Sequence, residues 1–438
     1  MSELVCACKE KFRSVCKGLP ADNEHEGKQY CALHAPTKDK NLVEVLEAIK
    51  KKFRDKDFDF RGVYFPRDYF RSAGIEGQFF AGISHANWAG LPQATLDRFG
   101  ERSVFEEEAD FSNATFVGER ADFSNAHFKR GAIFSEATFE EAANFFEAIF
   151  KKRANFPGAI FKKSADFSEA TFEDLALFSY ATFEWRAEFL AAIFKEGAMF
   201  WFLQPSPQAF LAFRAAIAEK PGRVSFHTTH LRPSWFIDVD TQKFDFSDVE
   251  WFRLPDGKEL KLEKEIEDLE GVYGESSYGE LPTPTSRLRK LQKACRKLMD
   301  NAEESRDYAT ANEFHYWSME LLRKEGWREL GLIGTLYWAL SGYGERPRRA
   351  FLVLAGMWAL FAFFYAMVAG AIEHVGQAAL YSLAAIVRLT DIPAMVEVTT
   401  LLQPSEPGLF QVLVAVEGIL GPLQIALLVL AIRRRVMR

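Results

Sequence analysis

Between residues 103 and 202 the chain alternates apolar and polar positions in short runs, with alanine placed two residues before phenylalanine. The run "AIFSEATFEEA" is typical, since Ala-x-Phe occurs twice within eleven residues. Successive phenylalanines are five and six residues apart in alternation, after one step of seven. Residues two apart share one face of a strand but point to different sides of a helix. The pattern therefore predicts short strands that turn alanine and phenylalanine inward.

A pattern with a fixed period predicts a solenoid rather than a single globular core. Four inward-facing strands close a roughly square coil of about 22 residues, and stacked coils are spaced by about 4.8 Å. Residues 103–202 then form about four to five coils, and less regular copies at 58–65, 77–91 and 243–252 predict an extension at both ends. Phenylalanine is predicted to fill the interior, at positions that include Phe111, Phe116, Phe123, Phe128, Phe134, Phe139, Phe145, Phe150, Phe156 and Phe161.

This arrangement resembles the pentapeptide-repeat family, which implies a right-handed quadrilateral β-helix. The chain departs from the family in having phenylalanine where leucine is usual and one extra residue after every second group of five. Some members of the family mimic DNA and bind topoisomerases, which requires a continuous acidic face. Here acidic runs such as "FEEEAD" alternate with basic runs such as "KKRANF". Binding to a topoisomerase therefore remains only a second alternative, and inward rings make nucleic acid an unexpected partner.

The C-terminal part contains two long apolar stretches. Residues 350–372 carry no charge over 23 residues, and residues 408–432 contain one acid, Glu417. Each stretch is long enough to cross about 30 Å of hydrocarbon. Arginines precede the first stretch and follow the second, and positive flanks stay in the cytoplasm. The pattern predicts a hairpin in the inner (cytoplasmic) membrane, with both termini and the solenoid in the cytoplasm and with lipid as a partner.

Between the two stretches, residues 376–393 read "GQAALYSLAAIVRLTDIP", and the first half predicts an apolar helix too short to span. Together with "LSGYGERPRRAF" and "VAVEGILGPLQIALLV" this resembles the potassium-channel-like pore module found on some prokaryotic pentapeptide-repeat proteins. The resemblance implies a homo-oligomer, a tetramer in that class, that conducts ions. It places the pore and filter region at Ser382, Arg388, Thr390 and Asp391, and the inner helix with its hinge at Glu417, Gly418 and Gly421.

The filter region departs from a potassium channel, because "VRLTD" contains no glycine to turn successive carbonyl oxygens inward. Potassium selectivity is therefore not expected. A ring of Arg388 in an oligomer favours anions or a non-selective pore, and the alternative is an ion pair with Asp391 or a lipid headgroup. Glu417 at membrane depth is either functional or hydrogen-bonded to the short helix behind the filter.

Four of the five cysteines lie in the first 31 residues, near a Cys-x-x-His motif followed by Ala and Pro. The charged start "MSELVCACKEKF" argues against a signal peptide and hence against an oxidising compartment. Thiolate and imidazole ligands at such spacing are typical of a structural zinc site, and similar modules begin other members of the family. The predicted ligands are Cys8, Cys16, Cys31 and His34, with Cys6 as a substitute for Cys8, and free or redox-sensing thiols are the alternative.

The predicted fold class is mixed: a β-solenoid, a helical hairpin coupler and a two-span helical pore domain. The predicted divisions are a Cys/His module at 1–40, a cap with degenerate repeats at 41–100, the solenoid at 101–267, a linker at 268–285, the coupler with an interfacial helix at 286–345 and the pore domain at 346–438. The predicted function is an oligomeric ion channel gated or assembled through the solenoid, in one version as a defence or stress effector. The alternative is a membrane-anchored scaffold for an unknown cytoplasmic protein. No Ser/His/Asp set or phosphate loop indicates an enzyme.

Overall fold

The computed structural model describes most of the chain in two compact units, Met1–Pro282 and Thr283–Arg438. The described residues are 15, 16, 19, 21, 23–25, 28–35, 44, 45, 48, 49, 51, 52, 55, 57–65, 104–117, 120–275, 284–325, 327–368, 375–387 and 407–436. The predicted copy of the repeat at 77–91 lies outside these residues. All structural statements below concern the described part.

The first unit is a β-solenoid of about seven turns, whose four faces are parallel sheets. Strands on one face pair at a step of 22 residues, as Thr138 with Ile160 and Ile149 with Thr171. Residues 103–202 account for four to five strands on each face, and strands within 64–65 and 204–250 add the rest. Of these, the strands between 204 and 230 lie outside the degenerate copies that the sequence indicates. The β-solenoid predicted from the period of the sequence is therefore confirmed.

The strands are short, because each side of the coil is only a few residues long. The first face contains Ala109–Asp110, Ala132–Ile133, Ala154–Asn155, Ala176–Leu177, Ala198–Trp201, Val224–His230 and Phe244–Glu250. The second contains Tyr64–Phe65, Thr115–Phe116, Thr138–Phe139, Ile160–Phe161, Thr182–Phe183 and Gln204–Pro205. The third contains Arg120–Asp122, Ala142–Asn144, Ala165–Asp166, Arg186–Glu188 and Phe210–Ala212. The fourth contains Val104–Phe105, His127–Phe128, Ile149–Phe150, Thr171–Phe172, Ile193–Phe194 and Ile217–Ala218.

Phenylalanine rings form four columns along the inside of the solenoid. All ten phenylalanines predicted for the interior are buried, as are the alanines that precede them by two residues. Rings in one column stack nearly parallel, with centroids 4.9 Å apart for Phe156 and Phe178 and 4.8 Å apart for Phe145 and Phe167. Rings of neighbouring columns meet edge to face, 5.4 Å apart for Phe156 and Phe167. Both geometries suit the ring quadrupole, so the interior is a continuous aromatic core.

The corners explain the alternation of five and six residues. Within residues 103–202, every five-residue step between phenylalanines contains one residue with a positive φ, such as Glu136 (57°), Gly158 (66°) and Ala191 (53°). The amide after it closes a turn, as Ala137 N donates to Phe134 O at 3.1 Å. The six-residue steps contain an extra residue, and there only Gly197 has a positive φ. Corners of two kinds therefore alternate. One kind takes five residues and contains a residue with a positive φ, and the other takes six residues, so that two corners together need eleven.

The ends of the solenoid differ from its middle. The first coil uses residues 57–65 for two faces and Val104–Phe105 for the fourth, with residues 66–103 between them. At the other end, short 3₁₀ helices at Pro233–Phe236 and Thr241–Lys243 precede helix α1, Leu262–Glu275. Arg232 forms a buried ion pair of 2.6 Å with Glu265, and Glu265 also accepts a hydrogen bond from Ser234 N at 3.1 Å. These contacts attach α1 to the last coil.

Helix α1 changes one predicted boundary. It continues to Glu275, inside the segment 268–285 for which the sequence predicts a linker. The run "LEKEIEDLEGVY" retains helical spacing of Leu262, Ile266 and Leu269, whereas Gly, Ser and Pro concentrate after residue 273. Helix α1 therefore overlaps residues 268–275 of the predicted linker, and residues 276–283 lie outside the described part.

The second unit is entirely helical in its described part. Helices α2 (Pro284–Glu304) and α3 (Tyr308–Glu325) pack as a hairpin, as the sequence predicts for the coupler. Helix α4 (Trp327–Ser341) is interrupted at Gly331. Helices α5 (Pro347–Val368), α6 (Val375–Ile386) and α7 (Pro407–Val436) follow. A small antiparallel pair, Asn23–His25 with Lys28–Tyr30, belongs to the first unit near the N-terminus.

Candidate metal centre and candidate pore unit

Two tight turns bring cysteine and histidine side chains together near the N-terminus. Cys31 begins a turn in which the amides of His34 and Ala35 both donate to its carbonyl oxygen at 3.1 Å. Cys16 begins a second turn, in which Leu19 N donates to Cys16 O at 3.1 Å. These turns lie at the positions where the side chains of Cys16, Cys31 and His34 come together.

The three side chains form a compact buried cluster. Cys16 Sγ lies 3.1 Å from His34 Nδ1, Cys31 Sγ lies 3.2 Å from the same nitrogen, and the two sulfur atoms are 3.8 Å apart. Zinc–sulfur bonds of about 2.3 Å in a tetrahedron place two sulfur atoms about 3.8 Å apart, which matches. The corresponding sulfur–nitrogen edge is about 3.6 Å, so the ring would recede slightly on binding.

The second ring nitrogen of His34 fixes the tautomer that a metal requires. His34 Nε2 lies 3.1 Å from the carbonyl oxygen of Arg61, which can only accept a hydrogen bond. With the proton held on Nε2, Nδ1 carries a lone pair toward the two thiols. A histidine ligand whose other nitrogen donates to a carbonyl is the usual arrangement at zinc sites. Arg61 belongs to the first coil, so this contact also joins the Cys/His module to the solenoid.

The cluster supplies three ligands of the four that a structural zinc site needs. Cys16, Cys31 and His34 are brought together as a group that could bind a metal. The predicted fourth ligand, Cys8 with Cys6 as substitute, lies outside the described residues. Two sulfur atoms and one imidazole nitrogen favour zinc over magnesium or calcium, which prefer oxygen. The residues present therefore fit the predicted metal.

In the second unit, two helices are long and apolar enough to cross a membrane. They are α5 and the Gly408–Arg434 part of α7, the only two that qualify in the described part. The 22 residues of α5 span about 33 Å at 1.5 Å per residue, against about 30 Å of hydrocarbon in a bilayer. The 12 residues of α6 span only about 18 Å. The helix lengths therefore follow the predicted order of span, short helix and span.

Helix α6 packs against both long helices at once. Phe361, Tyr365, Ala378, Tyr381 and Phe410 form an apolar cluster that includes all three helices. Trp358 Nε1 on α5 donates to the carbonyl oxygen of Ala379 on α6 at 2.8 Å. Because its packed face carries mainly small residues, α6 approaches both neighbours closely. The three helices form one packed unit.

A buried polar cluster lies inside this unit. The carboxylate of Glu417 on α7 accepts a hydrogen bond from Tyr365 Oη on α5 at 2.6 Å and another from Ser382 Oγ on α6 at 2.5 Å. Glu417 and Ser382 are both fully buried. A carboxylate in such surroundings is costly unless hydrogen bonds compensate, and here each oxygen has a donor. Glu417 thus connects all three helices through hydrogen bonds.

The structure brings together some of the predicted pore residues and not others. Ser382 on the short helix α6 and Glu417 on α7 are in contact. A Cβ atom on Gly421 would lie 2.9 Å from the backbone of Ile386, so this glycine permits close packing of α6 on α7. A Cβ atom on Gly418 would meet nothing within 4 Å. Arg388, Thr390 and Asp391 lie outside the described residues.

Sequence reasoning missed two members of the unit, Tyr365 and Trp358. Both lie in an uninterrupted apolar run, where an aromatic residue gives no sign of a polar role. The only signal was that tyrosine and tryptophan each carry one donor that must be satisfied when buried. The buried carboxylate of Glu417 needs a hydrogen-bond donor, and the charge-free stretch of α5, which packs against it, provides Tyr365.

The ends of the long helices are tied to the hairpin. Arg346, just before α5, forms a two-pronged ion pair with Glu313 on α3, at 2.9 and 3.0 Å. Arg434 near the end of α7 pairs with Glu345 at 2.6 Å, and its carbonyl oxygen accepts a hydrogen bond from Asn312 at 3.0 Å. Residues of α3 thus contact both the start of α5 and the end of α7.

The segment between α4 and α5 has an unusual backbone. Gly342, Tyr343 and Gly344 have φ values of 59°, 59° and 74°. A Cβ atom on Gly344 would lie 2.6 Å from Tyr337 Oη, so glycine permits both this close approach and the positive φ. Tyr343 is fully buried, and burial raises the pKa of its phenol. The turn is therefore fixed by packing as well as by glycine.

The outer surface of the solenoid pairs opposite charges from one coil to the next. Lys162 reaches Glu140 at 2.9 Å, and Glu173 lies between Lys151 at 2.6 Å and Lys195 at 3.3 Å. The hydrogen bond from Lys151, followed by that from Lys195, lowers the pKa of Glu173. These lysines balance the glutamates of the same faces. The described surface there lacks the unbroken acidic field that DNA mimicry requires.

Comparison with known families supports the solenoid. Residues 97–137, 123–171 and 156–202 match the family model of pentapeptide repeats (9 copies). No curated protein matches the chain. No solved structure matches it either. The chain therefore contains a pentapeptide-repeat β-solenoid domain followed by two long apolar helices, and the match identifies no channel family.

Proposed function

We propose that the chain is the subunit of an oligomeric membrane ion channel whose cytoplasmic solenoid gates or assembles the pore. The observation that carries the proposal is helix α6, which is too short to span and is held between two longer apolar helices by Glu417. A short helix at membrane depth leaves irregular backbone beside it, which is tolerated where that backbone lines an aqueous cavity. A simple anchor has no use for such a helix.

The outer surface of the helical unit supports membrane insertion and assembly. Large apolar side chains are exposed on all three helices, among them Leu352 on α5, Leu383 on α6 and Ile419 on α7. An apolar surface of this extent is unsuited to water and is covered by lipid or by further subunits. Several subunits around one axis would place their short helices side by side, with Arg388 near the pore mouth.

The contacts at the ends of the long helices support a link to the cytoplasm. Arg346 and Arg434 bind the hairpin and its neighbouring turn through Glu313 and Glu345. Arginine flanks of this kind remain on the cytoplasmic side. A force applied to α3 would then act on both long helices together. We infer that a partner or signal sensed by the solenoid side opens or closes the pore through this hairpin.

Electrical recording tests the proposal directly. Full-length protein is purified in detergent and reconstituted into planar bilayers and into vesicles loaded with a chloride- or cation-sensitive dye. We expect discrete conductance steps that do not select for potassium. Reversal of one charge, Arg388→Glu, should shift the reversal potential toward cations if that side chain lies at the pore.

A matched control is reversal of a charge on the solenoid, Arg153→Glu, which should leave the reversal potential unchanged. Absence of conductance under all voltages and partner conditions, from protein that is inserted and correctly oligomeric, would favour the membrane-anchored scaffold instead. That alternative uses the same apolar helices only to hold the solenoid at the membrane. It is favoured by the missing glycine in "VRLTD".

A further inference from the structure

The residues Gly331–Ser341 form a short helix with one exposed apolar face. Leu332, Ile333 and Leu336 are exposed on it, with Ile333 exposed by 84%. They are spaced as neighbours on one side of a helix. Exposed aliphatic residues in this number are costly in water, and the helix is too short to span a bilayer. The face therefore needs an apolar cover.

The other side of the same helix carries a tryptophan held between two arginines. The guanidinium carbon of Arg349 lies 4.2 Å from the ring centre of Trp338, and that of Arg323 lies 4.5 Å from it. Arg323 is neutralised by Glu320 at 2.7 Å. Tryptophan with a basic neighbour is typical of the interface between lipid tails and headgroups. The helix thus offers aliphatic residues on one face and a basic aromatic site on another.

Three arginines at this end of the long helices differ from their neighbours in their pairing within the described part. Arg346 and Arg434 pair with carboxylates, whereas Arg348, Arg349 and Arg433 have no carboxylate partner among the described residues. Arg348 and Arg433 are exposed. Arg348 and Arg349 also lie in the first turn of α5, where the positive end of the helix dipole favours an anion. The contact between Arg434 and Tyr343 O at 3.2 Å brings the end of α7 to the same place.

We propose that helix 331–341 lies along the inner surface of the membrane and that Arg348, Arg349 and Arg433 bind the phosphate of anionic phospholipids. The aliphatic face of the helix enters the tail region, beside the exposed Phe351 and Leu352 of α5. Charge complementarity and the continuous apolar surface identify the occupant as lipid rather than a protein. The inference rests on the proposed membrane function, because it requires α5 and α7 to span the bilayer.

Native mass spectrometry of the full-length protein in micelles tests the inference, with phosphatidylglycerol and phosphatidylcholine offered in equal amounts. We expect a preference for phosphatidylglycerol. Each arginine near a charged membrane surface contributes enough that the triple change Arg348→Gln, Arg349→Gln and Arg433→Gln should weaken binding of phosphatidylglycerol about a hundred-fold. Binding of phosphatidylcholine should not change.

Two further variants separate lipid binding from folding and from overall charge. The double change Arg348→Gln and Arg433→Gln alters only exposed side chains and should still weaken binding at least about ten-fold. The triple change Lys293→Gln, Arg296→Gln and Arg306→Gln removes the same charge from exposed positions of the hairpin and should have no effect. Equal preference for both lipids, or equal loss in the hairpin variant, would overturn the inference.

The outcome is distinguishable from failure of the proposed function. If the wild-type protein is released from membranes without detergent, both proposals fail together. If it requires detergent and shows no headgroup preference, only the lipid site fails. If it binds phosphatidylglycerol through the three arginines but conducts no ions, the lipid site stands and the channel does not.

Discussion

Truncation of one ring in the aromatic core measures how far the solenoid depends on it. Phe156 is fully buried, with Phe134 stacked 5.0 Å away on one side and Phe178 4.9 Å away on the other. Phe145 and Phe167 approach it edge to face at 5.5 and 5.4 Å. The change Phe156→Ala leaves a cavity that fixed neighbouring coils cannot fill. We expect a loss of about 4 kcal/mol, within the range for buried phenylalanine.

The change Phe156→Leu separates ring stacking from burial. Leucine keeps most of the apolar volume of phenylalanine but has no ring. It removes the two stacked pairs and the edge contacts, and aromatic pairs contribute about 0.5–1.5 kcal/mol each beyond their area. Four pairs at the lower end of this range total about 2 kcal/mol, and some volume is also lost, so we expect Phe156→Leu to cost about 2–3 kcal/mol, less than Phe156→Ala. The free energy of unfolding should therefore increase from Phe156→Ala to Phe156→Leu to the wild type.

Urea unfolding of the full-length protein in detergent, followed by the circular dichroism of the β-sheet, gives the free energies. Phe202→Ala is the control, because Phe202 stacks on Tyr180 at 4.9 Å but lies at an exposed corner. It should cost less than about 1 kcal/mol. If Phe156→Ala costs no more than this control, the closed aromatic interior is refuted.

Four other changes test the corners, the metal site, the buried carboxylate and the surface charges. Gly158→Ala, at φ 66°, should destabilise the solenoid by about 1 kcal/mol, and Ala191→Gly, at φ 53°, should be neutral or stabilising in the same urea titration. Cys31→Ser should abolish one bound zinc ion per chain by elemental analysis and lower the melting temperature, as chelation should in the wild type. Glu417→Leu leaves the buried Tyr365 hydroxyl without its acceptor and Ser382 with only the Trp358 carbonyl oxygen, so it should lower the melting temperature of the helical unit, whereas Glu417→Gln should have a smaller effect. Glu173 has a lowered pKa in the folded state, so its stabilising contribution is lost as the pH falls below about 4.3, and Glu173→Gln should reduce that acid sensitivity.

Much of the solenoid could be predicted because its rule is local and repeated. The spacing of alanine and phenylalanine determines which side of a strand is buried, and repetition determines that coils stack in register. The origin of the eleven-residue period could not be predicted. Residues with a positive φ are usually glycine or asparagine and can then be recognised in a sequence. Here Glu136, Tyr180 and Ala191 adopt a positive φ. Burial of the adjacent phenylalanines compensates for their backbone cost.

The candidate sites were predictable to different degrees. Cys16, Cys31 and His34 could be named because metal ligands repeat in short spacings, but the contact of His34 with Arg61 O depends on the first coil. The order of the apolar helices could be derived from length and composition alone. The partners of Glu417 could not, because Tyr365 and Ser382 are 52 and 35 residues away in the chain and only tertiary packing joins them.

The turn at Gly342, Tyr343 and Gly344 has a mechanical consequence. Three successive residues wind in the opposite hand to the helices on either side, so the chain cannot straighten there into one uninterrupted rod. Helices α4 and α5 stay separate segments that meet at a stiff elbow. We therefore expect any tilt of α5 to change the orientation of α4 by the same angle.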